Sequence, residues 1–246
     1  MRLSGKTALI TGGGSGFGAG IARAFRAEGA QVMLADVNAE AVEAMAVILD
    51  AFWVVADVGD DASVDHMVAA TCGALGHLDI LVNNAGVTHQ PQPLEDVAED
   101  EFDRVFRINA KSVYLTARHF VPLMKARGQG AILNIASTAG ISPRPKLSWY
   151  NASKGWMITA TKAMAVELAP FGLRVNALCP VAGETPLLKS FLGEDTPEMR
   201  ARFLATIPLG RFSTPQDLGA AATFLASDEA AMLTGVALEV DGGRCI

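Results

Sequence analysis

Short apolar segments alternate with longer helical patterns along the whole chain, and this alternation limits what the chain can fold into. Runs of apolar and β-branched residues predict seven strands, at 7–11, 31–36, 52–56, 78–82, 131–136, 174–178 and 236–240. Helical spacing of apolar residues predicts helices at 16–29, 38–49, 60–75, 99–127, 148–168 and 215–226, with two short helices within 185–206. Such alternation forms right-handed βαβ units, which bury a parallel sheet between two helical layers. We therefore expect a three-layer, doubly wound α/β fold.

A doubly wound fold binds its ligand at the carboxyl ends of its strands, so the residues after each predicted strand are candidate contacts. The first strand is followed by a glycine-rich segment, Gly-Gly-Gly-Ser-Gly-Phe-Gly, at 12–18. Glycine permits a tight turn close to a phosphate, and the N-terminus of the next helix offers free amides and the positive end of its dipole. The segment predicts a nucleotide site in which Gly12, Gly16 and Gly18 are spaced more widely than in the common dinucleotide fingerprint.

The second predicted strand ends at Asp36, about 20 residues beyond the glycines, where a carboxylate can bind both ribose hydroxyls of an adenosine. The same charge repels a 2′-phosphate, and no Arg or Lys lies at 13–15 or 37–38 to receive one. Asp36 therefore favours NAD over NADP. The alternative is an ordinary aspartate that forms a turn at the end of a strand.

Polar residues also follow the next three predicted strands. Asp57 and Val58 follow the third strand, where the carboxylate can accept from an adenine amino group or cap the next helix, although Asp60 is better placed as a cap. The segment 83–86, Asn-Asn-Ala-Gly, follows the fourth strand and suits both cofactor contact and bracing of the sheet. Ser137 follows the fifth strand, close to where the helix 148–168 begins.

Tyr150 and Lys154 lie four residues apart in the predicted helix 148–168, so their side chains share one face. A free phenol titrates near pH ~10, and a neighbouring cation lowers that pKa. The pair is therefore a candidate general acid/base, and the alternative is a solvated helix face. Asn109 lies inside the predicted helix 99–127, where Asn is a mediocre helix former and marks a kink or a polar role.

The composition argues against several classes of protein. A net charge of −6 lacks the basic footprint of a nucleic-acid-binding protein. Cys72, Cys179 and Cys245 have no paired spacing, so we expect no disulfide framework and no metal site, and a reducing cytoplasm fits. No apolar run approaches the roughly 20 residues of a membrane span. We expect a single cytoplasmic domain over residues 1–246, with neither nucleic acid nor membrane as a partner.

Taken together, the motifs resemble those of the short-chain dehydrogenase/reductase family, over essentially the whole chain. They occur in the family's order and approximate spacing, as the segment 11–18, Asp57, the segment 83–86, Asn109, Ser137, Tyr150-x-x-x-Lys154 and the segment 180–185. The resemblance implies a single Rossmann-like domain with a seven-stranded parallel sheet. It also implies NAD(P)-dependent oxidation of an alcohol or reduction of a ketone, as in secondary-alcohol dehydrogenases and 3-oxoacyl reductases.

The resemblance further implies roles for individual residues. Tyr150 is implied to exchange a proton with the substrate oxygen, while Lys154 lowers its pKa and holds the nicotinamide ribose. Ser137 is implied to orient and polarise the carbonyl, and Asn109 to hold a water that links Lys154 to solvent. The residues implied to bind the rest of the cofactor are Gly12, Ser15, Gly16, Phe17 and Gly18 at the pyrophosphate, Asp36, Asp57 and Val58 at the adenosine, Asn83, Ala85 and Gly86 at the central portion, and Pro180, Val181 and Thr185 at the nicotinamide amide.

Two residues depart from the family's pattern. Phe17 stands where Ile or Leu is usual, which affects local packing, and Val181 stands where Gly is usual, so its β-carbon narrows the pocket or shifts the loop. The family places its substrate walls at segments that are here 87–93, 141–149 and 184–212. Their mixture of apolar and polar residues suits a medium-sized carbonyl or alcohol. His89 is either a substrate contact or a surface-loop residue, and Arg144 and Lys146 either meet an acidic substrate or acyl-carrier protein or lie in a solvated loop.

Three functions follow from these observations. The leading prediction is an NAD-dependent dehydrogenase or reductase of a small or medium secondary alcohol or ketone. A 3-oxoacyl-thioester reductase of lipid synthesis is the first alternative, which Asp36 disfavours because biosynthetic reduction usually draws on NADPH. A non-catalytic, dinucleotide-binding regulatory protein is the second, which the complete set of Asn109, Ser137, Tyr150 and Lys154 disfavours. The family also implies a homo-oligomer, with a tetramer favoured and the segment 240–246 at a subunit interface.

Overall fold

The computed structural model describes residues 1–246 and is built on one seven-stranded sheet. The strands are β1 (Thr7–Thr11), β2 (Gln31–Asp36), β3 (Phe52–Val55), β4 (Ile80–Asn83), β5 (Gly130–Ile135), β6 (Leu173–Pro180) and β7 (Ala237–Val240). Their order is β3-β2-β1-β4-β5-β6-β7, and every neighbouring pair is parallel. The chain therefore reverses its direction of travel across the sheet between β1 and β4, which is the switch point of a doubly wound fold. The predicted fold class is confirmed.

Nine α-helices join and cover the strands. They are α1 (Gly16–Ala27), α2 (Ala39–Leu49), α3 (Asp61–Leu75), α4 (Glu99–Phe106), α5 (Ser112–Arg127), α6 (Ser148–Leu168), α7 (Leu188–Leu192), α8 (Pro197–Leu204) and α9 (Pro215–Ala226). None of them combines the length and the apolar character that a bilayer span requires. The caps match the sequence, because Asn38 accepts a hydrogen bond from the Ala41 amide at 3.0 Å and Asp60 accepts one from the Ser63 amide at 2.8 Å.

Two separate hydrophobic layers explain why the sheet is covered on both faces. Alternate residues of a strand point to opposite faces, so Ile10 packs with α1, α2 and α9 while Leu9 packs with α3, α5 and α6. Phe25 of α1 and Phe120 of α5 are fully buried at the centres of these two layers. The strand ends are thereby held between rigid helices, with their carboxyl termini directed to one edge.

The predicted helix 99–127 differs from the structure at its centre. It is two helices, α4 and α5, joined by a wide π-helical turn at Arg107–Lys111. Such a turn carries an extra residue, and it occurs frequently at functional sites. Asn109 lies in this turn, so the regular α-helix is interrupted at the position where the sequence indicated a kink or a polar role.

Candidate active site

A cleft of about 580 Å³ opens at the carboxyl ends of the strands, beside the switch point between β1 and β4. Most of the residues that sequence analysis selected line it. They are Gly12, Ser15, Gly16, Phe17, Asp36, Asp57, Val58, Ala85, Gly86, Ser137, Tyr150, Lys154, Pro180, Val181 and Thr185. Residues from six strand ends and from α6 thus meet in one place, although they are spread over the whole sequence.

Gly18 and Asn83 were expected at the cofactor but lie behind the cleft wall. A β-carbon on Gly18 would overlap the Gly12 carbonyl oxygen, so Gly18 lets α1 pack closely against the turn after β1. Asn83 is buried in the sheet, where its Nδ2 donates to Asn134 Oδ1 and its Oδ1 accepts from the Thr116 hydroxyl, both at 2.9 Å. Of the two interpretations of the segment 83–86, bracing of the sheet applies to Asn83.

Asn109 also lies outside the cleft, behind the segment that follows β4. Its Oδ1 accepts from the Val87 amide, while its Nδ2 donates to the Val87 carbonyl and to the Ser153 hydroxyl, each at 2.9 Å. Gly86 lies close to the side chains of Asn109 and Lys154. A β-carbon at this residue would lie 3.4 Å from both Asn109 Oδ1 and Lys154 Nζ. The side chain of Asn109 therefore fixes the segment 86–87 against α6. The water-binding role implied by the resemblance stays a prediction.

The glycine-rich turn after β1 forms a cradle that suits a phosphate. Gly12 adopts a φ of +64°, and a β-carbon there would lie 2.8 Å from Asn84 Nδ2. Asn84 in turn donates to the carbonyls of Thr11 at 2.8 Å and Gly12 at 3.1 Å. Ser15, the N-cap of α1, makes no side-chain capping bond, which leaves the first amides of the helix for an anion. Sequence analysis placed Asn84 in the motif but did not assign it to the site.

Asp36 and Asp57 lie at the other end of the cleft, and both carboxylates accept hydrogen bonds from backbone amides. Asp36 accepts from the amides of Gly14 and Asn38, each at 3.0 Å, so it fixes the glycine-rich turn and keeps lone pairs for a ligand. Asp57 accepts from Arg107 Nη1 at 2.7 Å and from the Gly59 amide at 2.8 Å. Burial raises the pKa of Asp57, but these hydrogen bonds outweigh burial and hold the pKa below its usual value. Arg107 has no local sequence signal, since its partner is far away in the chain.

Tyr150 and Lys154 face the cleft from the buried side of α6. Lys154 Nζ donates to the Ile135 carbonyl at 2.8 Å and lies 6.0 Å from the centroid of the Tyr150 ring. Burial lowers the pKa of Lys154 to about 8. Burial also raises the pKa of Tyr150, while the Ser137 hydroxyl lowers it in part. The expected lowering of the Tyr150 pKa by Lys154 is therefore corrected, because loss of solvent outweighs the distant ammonium.

Ser137 lies where β5 ends, on the same cleft wall as Tyr150. Its Oγ accepts from the Ala139 amide at 3.1 Å, which orients the side chain and leaves the hydroxyl proton to be donated. Two hydroxyl groups, those of Ser137 and Tyr150, thus meet at one point of the cleft. Such an arrangement stabilises negative charge that develops on a substrate oxygen.

An apolar lid covers this point from the segment after β6. Phe191 of α7 lies edge-on to the Tyr150 ring, with centroids 5.9 Å apart, and Val181 and Leu188 pack in the same cluster. His89 was expected either to contact the substrate or to lie in a surface loop, and the structure shows neither. It is buried outside the cleft, with Nδ1 2.8 Å from the Gln90 carbonyl oxygen and Nε2 without a partner.

Comparison with known proteins agrees with this geometry. A family model described as enoyl-(acyl carrier protein) reductase matches residues 12–244. The chain is 50% identical to 4-formylbenzenesulfonate dehydrogenase of Comamonas testosteroni, with all of both chains aligned. It is 38% identical to 2-dehydro-3-deoxy-L-rhamnonate dehydrogenase (NAD(+)) of a Sphingomonas strain, over 99% of this chain and 96% of the relative.

Solved structures share the fold over nearly the whole chain. A crystal structure of 3-ketoacyl-(acyl-carrier-protein) reductase from Brucella melitensis, complexed with NADH, is 50% identical, covers 99% of this chain and 100% of its own, and has a TM-score of 0.95. The crystal structure of levodione reductase has the same TM-score at 34% identity, with 99% of each chain covered. The protein described here therefore belongs to the short-chain dehydrogenase/reductase family of NAD(P)-dependent oxidoreductases.

Proposed function

We propose that the protein transfers a hydride between NAD(H) and a small or medium carbonyl or alcohol, with Tyr150 as the acid/base. The observation that carries the proposal is the meeting of Ser137, Tyr150 and Lys154 in one cleft with a glycine cradle and Asp36. When bound, the nicotinamide supplies or accepts the hydride. The chain's own residues then have to position the substrate, handle one proton and stabilise charge on oxygen.

Tyr150 suits the donation of that proton to a carbonyl oxygen. Because burial raises its pKa, the phenol is protonated at neutral pH. Ser137 provides a second donor to the same oxygen, and two preorganised donors stabilise the charge that hydride transfer creates there. Lys154 places an ammonium behind them, and its pKa of about 8 keeps most of its charge at neutral pH. In the direction of alcohol oxidation Tyr150 accepts the alcohol proton as a phenolate, so its own proton has to leave to solvent first.

We propose NAD rather than NADP as the cofactor. Asp36 places a negative charge at the adenosine end of the cleft, where it disfavours a 2′-phosphate. The arginines that line the cleft give no counter-charge, since Arg104 pairs with Glu101 and Arg107 pairs with Asp57. The Brucella neighbour complexed with NADH and the Sphingomonas relative named for NAD(+) support the same choice.

The test is a kinetic comparison of NADH and NADPH across aromatic and aliphatic ketones, aldehydes and 3-oxoacyl thioesters, followed by the absorbance of the reduced nicotinamide. NADH-linked turnover of one carbonyl class is expected. The Asp36→Ala variant is expected to lose most of the discrimination between the cofactors, and equal use of both by the native protein would contradict the role of Asp36. Tyr150→Phe is expected to bind NADH and to lose about 10²- to 10⁴-fold in turnover, the usual contribution of a general acid.

A second candidate is the reduction of 3-oxoacyl thioesters. The Brucella neighbour named as a 3-ketoacyl-(acyl-carrier-protein) reductase favours it. The description of the matching family model also names an acyl-carrier-protein substrate, although for an enoyl reductase. NADPH-linked turnover of thioesters alone, with no activity on free ketones, would select this candidate and overturn the choice of NAD.

We also propose that residues 1–246 act as one cytoplasmic domain that forms a homo-oligomer, with a tetramer favoured. One sheet joins both halves of the chain, and all three cysteines are free. Large apolar side chains lie exposed on α5 and α6, which cover the same face of the sheet, and they include Tyr114, Trp156 and Val166. Such exposure is typical of a surface that a second subunit covers. Light scattering should give a mass of about four times 25.8 kDa, and the mass of a single chain would refute the oligomer.

A further inference from the structure

The lid helices are joined to the rest of the molecule by very few polar contacts. The lid runs through α7 and α8, at residues 186–206, between the loop after β6 and α9. A single hydrogen bond joins these residues to any residue before 184 or after 210, and it runs from Arg144 Nη1 to the Phe191 carbonyl at 2.8 Å. Every other hydrogen bond of the lid is made within the lid or to its own flanks. The position of the lid therefore depends on apolar packing and on Arg144.

Arg144 also contacts both lid helices through their aromatic rings. Its guanidinium carbon lies 4.9 Å from the centroid of Phe191 on α7 and 5.4 Å from the centroid of Phe203 on α8. The two rings meet edge to face, with their centroids 5.9 Å apart. A guanidinium in contact with aromatic rings is attracted by their π-electrons, and the attraction is stronger where water is excluded. Arg144 therefore holds α7 and α8 to each other and to the loop before α6.

The loop that carries Arg144 is anchored to α6. Arg144 stands between Pro143 and Pro145, and a residue before proline is restricted to extended backbone conformations. Its carbonyl accepts a hydrogen bond from Asn151 Nδ2 at 2.7 Å, and Asn151 lies in α6, next to Tyr150. Arg144 thus ties the lid to the helix that carries the proposed acid/base.

The lid residue that Arg144 holds packs against the proposed proton donor. The ring of Phe191 meets the Tyr150 ring edge-on at 5.9 Å, and Tyr150 is 5% exposed. Phe191 lines the cleft and Arg144 does not, so Arg144 acts on the cleft from behind this ring. Where water is excluded, hydrogen bonds from the hydroxyl groups of Ser137 and Tyr150 to a substrate oxygen are stronger than in a hydrated site. A lid that is held in place therefore favours the reaction.

We propose that Arg144 is a positioning residue that holds the lid helices α7 and α8 against Tyr150, so that a bound carbonyl reacts out of contact with water. Arg144 takes no part in proton or hydride transfer. This inference rests on the proposed function and adds the residue that keeps its site closed. Burial and the neighbouring Arg244 lower the pKa of Arg144, so desolvation of the charge offsets part of its attraction to the lid. An uncharged residue of similar size avoids that cost but provides neither the hydrogen bond nor the attraction to the rings.

Hydrogen exchange followed by mass spectrometry tests the position of the lid without any turnover. The Phe191 amide is bonded to the Leu187 carbonyl at 3.0 Å, and a helix as short as α7 is not stable alone, so this amide exchanges once the lid separates from the protein. Arg144→Met removes a hydrogen bond from a charged donor, so protection of peptides from 186–206 should fall by about 10- to 100-fold. Arg144→Lys keeps a charge and a donor but loses the planar guanidinium, so a smaller fall is expected. Arg23→Met removes an exposed arginine from α1 and should leave the protection unchanged.

Steady-state kinetics tests the effect of the lid on the reaction, with NADH and each of cyclohexanone, acetophenone and ethyl acetoacetate. Arg144→Met should lower kcat/KM for the carbonyl by up to about 100-fold, because only molecules with a closed lid are competent. KM for the carbonyl should rise more than KM for NADH, since Arg144 contacts α7 and α8 and not the glycine-rich turn. Arg144→Lys should recover part of the loss, whereas a purely structural role would change the stability of the variants and leave these constants unchanged.

The outcomes separate this inference from the proposed function. Unchanged lid protection in Arg144→Met overturns the inference, and so does lower protection with unchanged kcat/KM, because the lid then moves without effect on the reaction. In both cases native turnover leaves the proposed function intact. If no carbonyl of any class is turned over, the proposed function fails, and hydrogen exchange alone decides whether Arg144 holds the lid. Urea unfolding shows whether each variant is folded, and Arg144→Lys serves for both measurements if Arg144→Met does not fold.

Discussion

Replacing Lys154 with Met should measure the free-energy cost of burying its ammonium group in the folded protein. The side chain is 4% exposed, and its hydrogen bond to the Ile135 carbonyl is its single polar contact. Burial lowers its pKa from the ordinary 10.5 to about 8. Because one pKa unit corresponds to about 1.4 kcal/mol, burial of the charged form costs about 3 kcal/mol at neutral pH. Methionine fills a similar apolar space and carries no charge.

The sign and the pH window follow from the direction of this shift. Between about pH 8 and 10.5 the unfolded chain holds a proton on Lys154 that the folded chain has released, so the free energy of unfolding rises with pH. Near pH 7 the full cost is present, and near pH 10 less than about 1 kcal/mol of it remains. The Met variant loses a hydrogen bond worth about 1 kcal/mol at every pH. It should therefore be more stable than the native chain by about 2 kcal/mol near pH 7 and lose that advantage near pH 10.

Urea unfolding of the native chain, Lys154→Met and Lys162→Met at several pH values between about 7 and 10 measures this difference. Lys162→Met removes an exposed lysine from the same helix, so it is the control for loss of a lysine side chain without burial of its charge. All other titrating groups are shared and cancel in the comparison. A difference between Lys154→Met and the native chain that stays constant within about 0.5 kcal/mol over this range would refute the argument.

Three further predictions concern the cofactor loop, the sheet and the subunit surface. Gly183→Ala should weaken NADH binding, since its β-carbon would overlap the Phe17 ring, and the added Phe17→Leu should restore part of it, as fluorescence titration would show. Asn134→Leu leaves Asn83 and Thr161 without a shared partner, so urea unfolding should show a loss of about 2 to 3 kcal/mol. Val166→Glu puts a charge at a residue that is 80% exposed on α6, and light scattering should show dissociation if a subunit covers it.

Local patterns were sufficient for the fold because each element of the sheet depends on its own segment. The range predicted for β2, 31–36, matches the structure at both ends, as does the range 148–168 for α6. Asp60 was expected as a cap from its position before an apolar helical pattern, and it accepts the capping hydrogen bond, as Asn38 does for α2. The order of strands then brings together residues after each strand, which explains why most of the predicted site lies in one cleft.

Contacts between segments that are distant in the chain could not be predicted from the sequence. The pairing of Arg107 with Asp57 joins residues 50 positions apart, and no local pattern marks it. His89 sits in a polar loop, which is typical of an exposed residue, yet the fold of that loop buries it. The pKa of Tyr150 was misjudged for the same reason. Spacing along a helix shows which charge is a neighbour, whereas burial depends on everything that packs around the group.

The two departures from the family's pattern, Phe17 and Val181, both concern the loop that follows β6. The Phe17 ring occupies the space that a side chain at Gly183 would fill, so the large residue on α1 and the missing side chain in the loop depend on each other. Val181 points its side chain into the cluster with Tyr150 and Phe191. Between Phe17 and Gly183, side-chain volume is therefore exchanged rather than added, and such exchanges are tolerated better than single enlargements. Since Phe17, Val181 and Gly183 all line the cleft, a change at one of them alone should disturb the cofactor loop more than a matched change at two.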